Sequence, residues 1–122
     1  MAPATQVFVV LAGALHLLIF TMESVLFSRP QVWRRFLVRS QADAETVRPW
    51  AFNQGFYNLF LALGAIGGVV WGADRGTAVA LFACGSMVLA GVVLVATDRR
   101  MLRAGAMQAV LPLVAIVLAA VA

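Results

Sequence analysis

The sequence predicts an all-α membrane protein: a four-transmembrane-helix antiparallel bundle, with a short amphipathic interfacial helix between the first and second spans. Three observations carry that expectation. Of 122 residues, 63% are hydrophobic and only 11% charged, whereas soluble domains carry about 25% charged residues. The apolar residues fall in four runs of about 20, the length that crosses a hydrocarbon core as a helix. All nine basic residues are arginines, and they lie in or beside the segments joining those runs. No hydrophilic segment is long enough to fold apart, so residues 1–122 read as a single domain.

The first span is expected over 7–27. Its flank, Met1 to Gln6, lacks the basic residues that open a secretory signal. The apolar run is also longer than a signal core, so it reads as a retained span. Ser28 ahead of Pro30 resembles an N-cap followed by an early-turn proline. Val32, Trp33, Phe36 and Leu37 then share one face, with Arg34, Arg35 and Arg39 largely on another. That pattern predicts the interfacial helix, over 30–40, lying on the inner leaflet.

Asp43, Glu45 and Arg48 before Pro49 read as the turn into the second span, 50–71. Trp50 and Trp71 frame it, and 21 residues of helix cover roughly 31 Å. Tryptophan favours the headgroup level, so both read as interface anchors. The third and fourth spans follow at 77–96 and 104–121. Small residues at four-residue spacing (Gly64 and Gly68, Ala80 and Cys84, Gly105 and Ala109) predict close approach between helices. The same faces are compatible with a homo-oligomer. No internal repeat is evident.

The first connecting segment holds Arg29, Arg34, Arg35, Arg39 and Arg48, and the third holds Arg99, Arg100 and Arg103, while the second has only Arg75. Eight arginines against one predict cytoplasmic first and third loops, with both termini outside the inner (plasma) membrane. The net charge of +4 reflects this orientation bias and not a nucleic-acid partner, because no basic stripe is interleaved with exposed aromatics. The expected partner is the lipid bilayer. Cys84 is the single cysteine; it cannot form an intrachain disulfide and reads as packing in the third span.

Within the first span, Glu23 and His16, the only histidine, interrupt an otherwise apolar run. An ionisable residue in a membrane span costs about 2.5–3.5 kcal/mol at a helix centre and marks a functional site by default. On a regular helix seven residues turn by about 700°, which puts both within about 20° of one face and about 10 Å apart along the axis. Thr21 and Ser24 can satisfy themselves on backbone carbonyls. The second span contributes Asn53, Gln54, Tyr57 and Asn58 at the depth of Glu23, with Gln54 and Asn58 sharing a face.

These residues outline a cytoplasm-facing polar pocket in the membrane. Glu23, Asn53, Gln54, Tyr57 and Asn58 are its candidate ligand-binding residues, with His16 at its floor. Glu23 and His16 are the candidate catalytic pair if the protein is an enzyme. Against this stands a plain structural role, with Glu23 paired to a loop arginine such as Arg29 and His16 bonded between helices. Ser86, Asp98 and Gln108 could face the same half, although Asp98 reads best as an interfacial cap. One histidine and one glutamate do not make a metal site, and a haem would need a second axial group such as Met22 or a histidine from another protomer. No metal or cofactor is expected.

The blocks His16-Leu17-Leu18-Ile19-Phe20-Thr21-Met22-Glu23, Arg29-Pro30 and Asn53-Gln54-Gly55-Phe56-Tyr57-Asn58, with Leu61-Ala62 and Gly64, resemble the small bacterial membrane family catalogued as domain of unknown function 1304. The resemblance spans essentially the whole chain and implies a four-helix integral membrane protein, with no reaction attached. The residues themselves point to binding of a small or lipid-like molecule. Three other readings stay open: a membrane-embedded isomerase or epimerase-type enzyme using Glu23 and His16 as acid and base, a proton-coupled small-solute transporter, and an accessory subunit of a membrane complex.

Overall fold

The computed structural model of the chain describes residues 1–122. Helix α1 (Pro3–Phe20) runs without a break into a π-helical turn, Thr21–Val25. A short α2 (Pro30–Trp33) continues as a 3-10 turn, Arg34–Phe36. Then come α3 (Gln41–Trp71), α4 (Ala73–Thr97), a 3-10 turn at Arg99–Met101 and α5 (Leu102–Val121), with no strand. Four stretches, Pro3–Val25, Gln41–Trp71, Ala73–Thr97 and Arg99–Val121, are long and apolar enough to cross a membrane. This is the expected multi-pass, all-α architecture.

Two helices differ in extent from the segments expected for the second span and the interfacial helix. Helix α3 begins at Gln41 and not at Trp50, because Ser40 caps it: the Ser40 hydroxyl accepts the Asp43 N–H at 3.1 Å, and Asp43 stands in the positively polarised first turn. Pro49 therefore lies inside the helix, where its missing N–H leaves the Glu45 carbonyl without its helical donor. Both residues are exposed, so other donors can reach that carbonyl. The interfacial helix is shorter than 30–40. Leu37 takes a left-handed conformation, φ 63° and ψ 18°, which an L-residue cannot propagate as helix. Its N-cap is Arg29, with no side-chain cap bond, and not Ser28. The amphipathic pattern otherwise holds: Val32 and Trp33 are buried, while Arg34, Arg35 and Arg39 are exposed. Leu37 is exposed too, off the face expected for it.

The chain forms two compact units. The first combines Met1–His16 with Leu61–Ala122. Its core is Val9, Ala12, Ala65, Ala80, Ala83, Cys84, Met87 and Ala115, all fully or nearly buried. Most of these are small, so the backbones pack closely. A Cβ on Gly68 would lie 2.7 Å from the Ala80 nitrogen, and one on Gly91 would lie 2.9 Å from the Gly105 carbonyl oxygen. Gly72 alone separates α3 from α4, with φ 69° and ψ −162°, a region essentially reserved for glycine. Cys84 is buried and unpaired.

The second unit is Leu17–Phe60. Phe27, Trp33 and Ala44 form its core, with Phe36, Val38 and Ala51 packed against them. Phe56 meets Phe20 edge-on, with ring centroids 5.2 Å apart, and Phe52 at 5.0 Å. Such aromatic pairs add roughly 0.5–1.5 kcal/mol beyond area burial.

Candidate functional site

The most informative local feature is the π-helical turn that carries Glu23. Leu26 N–H bonds to the Thr21 carbonyl, five residues back, at 2.9 Å. π turns occur where α-helices end, and this one ends the first helix at Leu26 with Glu23 at its centre. Glu23 is 8% exposed. The Asn58 amide nitrogen, Nδ2, donates to Glu23 Oε1 at 2.9 Å and to the Gln54 carbonyl at 3.2 Å. Both N–H groups of Asn58 therefore have acceptors, and the side chain is held from two sides. The neighbouring Ser24 hydroxyl donates to the Phe52 carbonyl at 2.8 Å. That bond needs Gly55, since a Cβ there would collide with Ser24 Oγ.

Glu23 opens on a groove of about 640 Å³. Phe27, Phe36 and Trp50 give it an aromatic wall, Val38 and Val47 extend the apolar surface, and Asn53 and Gln54 supply amide groups. Glu23 Oε2 accepts no hydrogen bond within the chain, and it is not a buried orphan atom, so it is the oxygen accessible from the groove. No arginine lines this space. The expected alternative of a Glu23 ion pair with Arg29 is not realised, since the chain's ion pair is Arg100 to Asp98, at 2.7 Å. Arg34 instead lies over the Trp33 ring, 5.4 Å from its centroid. No three His, Cys, Asp or Glu side chains converge in a way that would hold a metal.

The candidate residues thus divide. Glu23, Asn53 and Gln54 line one groove, and Asn58 holds Glu23 without lining it. Tyr57 is 57% exposed, packs edge-on to Phe60 and stands outside the groove lining. His16 belongs to the other compact unit and is fully buried. Its Nδ1 lies 2.9 Å from the Ala12 carbonyl, which assigns the proton to Nδ1 and leaves Nε2 without a partner. Between His16 and Glu23 the helix passes from α to π at Thr21.

Thr21 and Ser86 bond to their own helices, at Leu17 and Phe82. Asp98 caps the 3-10 turn by accepting from Arg100 N at 3.0 Å. The guanidinium of Arg100 holds its carboxyl below the ordinary carboxylate range. Ser24 bonds a backbone carbonyl as expected, but on α3; the roles missed in the sequence are those of Gly55 and the aromatic wall. Gly55 carried a signal: it is the one residue without a side chain in a block otherwise made of amides and aromatics.

A model of the family described as "Protein of unknown function (DUF1304)" matches residues 10–120. The chain belongs to this family. The DUF1304 region covers every residue of the candidate site, from His16 to Asn58. No curated protein and no solved structure gives a significant match. For this DUF1304 protein the chemistry of the groove is therefore the available guide to function.

Proposed function

We propose that this DUF1304 protein binds a small, partly apolar or lipid-like molecule in the groove beside Glu23. The observation that supports the reading most directly is the pairing of Glu23 with Asn58. A carboxyl of small exposure is held on one oxygen by an amide, while its other oxygen is accessible from an apolar groove. That second oxygen takes its partner from whatever enters the groove, solvent or a bound molecule. Ligand sites commonly combine an apolar wall with a few oriented polar groups, and here Phe27, Phe36 and Trp50 form the wall while Glu23, Asn53 and Gln54 form the polar part.

In this reading the groove faces the cytoplasm. The support is the arginine bias, eight in or beside the first and third connections against one in the second. The rule of positive residues inside then sets both termini outside the inner membrane.

The test uses n-octanol, a minimal molecule with one hydrogen-bonding head and an apolar chain, and the full chain in phosphatidylcholine nanodiscs. The alcohol should raise the thermal unfolding midpoint of the native protein. Glu23→Gln and Asn58→Leu should each abolish that rise. An unchanged rise in both variants overturns the groove assignment.

A further inference from the structure

Resting on the reading of the groove as a ligand site, we infer that its occupant is a cationic amphiphile, with an ammonium head on the Glu23 carboxylate and its apolar chain along the aromatic wall. The first ground is charge. The groove is lined by one acid and no base, although the chain has nine arginines and five of them lie between residues 29 and 48. Those arginines are placed elsewhere: none forms an ion pair with Glu23, and Arg34 is stacked on Trp33. A poorly hydrated carboxylate without a counter-charge is costly, and a cation that pairs and hydrogen-bonds with it offsets that cost. This chain places no such cation in the groove, so a bound ligand can supply it.

The second ground is hydrogen bonding. Asn58 uses its two N–H groups on Glu23 Oε1 and the Gln54 carbonyl, which leaves Oε2 as an acceptor facing the groove. An ammonium brings three donors and no acceptor. One suits Oε2, and Asn53 and Gln54, whose side chains carry amide oxygens, line the same groove. An anionic head would be repelled by Glu23, and a single hydroxyl would satisfy only one acceptor.

The third ground is the wall itself. Phe27, Phe36 and Trp50 line the same groove as the carboxylate. Aromatic faces attract cations as well as alkyl chains, with cation–π contacts of about 0.5–2 kcal/mol according to hydration. An alkylammonium matches both halves of this surface.

The experiment compares n-octylammonium, n-octanol and n-octanoate, which share a chain length and differ in head charge. Each is titrated into the full-length protein in phosphatidylcholine nanodiscs, and the thermal unfolding midpoint is followed. Octylammonium should reach half its effect at a concentration about tenfold below octanol, and octanoate should not stabilise. Glu23→Gln should erase the difference between amine and alcohol, which also separates binding from simple charging of the bilayer. Val47→Trp, which narrows the groove but leaves Glu23 in place, should weaken both and keeps the test decisive if Glu23→Gln fails to fold. Equal potency of amine and alcohol in the native protein overturns the cationic assignment and leaves the groove standing. If neither compound stabilises the native protein, or if Val47→Trp and Asn58→Leu leave both responses unchanged, the groove and the inference fall together.

Discussion

Ser24 Oγ occupies the space that a side chain on Gly55 would need. From there it donates to the Phe52 carbonyl at 2.8 Å, so one hydroxyl and one missing side chain join the π turn to α3. Gly55→Ala should therefore destabilise the protein by about 1–3 kcal/mol through overpacking. Ser24→Ala should cost less, about 1 kcal/mol for a lost hydrogen bond. The double variant should recover part of the Gly55→Ala loss, as residues in contact couple. Strict additivity in denaturation measurements would contradict the contact.

Asn58 and Glu23 should separate stability from binding. Asn58→Leu leaves a poorly exposed carboxyl without its donor and should cost about 1–3 kcal/mol. Glu23→Gln keeps a carbonyl oxygen for Asn58 Nδ2 to meet, so its unfolding midpoint should stay close to native while ligand stabilisation disappears. Equal destabilisation by the two substitutions in a thermal melt would count against this geometry.

Gly91 and Gly105 set the approach of α4 to α5, with a Cβ on Gly91 falling 3.0 Å from the Ala109 Cβ as well as 2.9 Å from the Gly105 oxygen. Gly91→Leu should force the helices apart and destabilise by about 1–3 kcal/mol. Ala90→Leu, one residue away on an exposed position, should be near neutral. A comparable loss in both would show that the glycine face is not what holds this pair.

Asp98 offers a pH test outside the spans. Arg100 lowers its carboxyl pKa through hydrogen bonds and charge, so its favourable contribution is complete above the unfolded value and fades as pH falls through the lower folded one. Asp98 is partly exposed and Arg100 exposed, so solvent screens the pair and the effect on stability should be small. Carboxyl chemical shifts should show Asp98 titrating below about 3.9, the ordinary aspartate value, and returning to it in Arg100→Gln. Unaltered titration in that variant would show that the pair does not persist in solution.

The spans were legible because hydropathy over about 20 residues survives any detail of packing. The start of α3 was not, because the charges before Pro49 mimic a turn while the deciding contact, Ser40 with Asp43, is a cap that operates only once the helix forms. In the site, Glu23, Asn53, Gln54 and Asn58 could be read from their polarity in apolar surroundings. Tyr57 marks the limit of that signal: it adjoins Asn58 in sequence, yet a helical step of about 100° turns it to an exposed position. The π turn left no composition signature at all. A periodicity argument assumes regular helix, and Thr21–Val25 departs from it where the carboxyl sits.

The hydrogen bonds of Asn58 carry a consequence for proton chemistry. The Gln54 backbone carbonyl can only accept, so the Asn58 side chain must present nitrogen to it, and the same nitrogen then faces Glu23 Oε1. The amide cannot flip without setting two carbonyl oxygens against each other. Glu23 Oε1 is thereby fixed as an acceptor in every protonation state. Any proton the carboxyl gains or loses must travel through Oε2, on the side of the groove. The two oxygens of one side chain are made chemically inequivalent, one an anchor and the other a port.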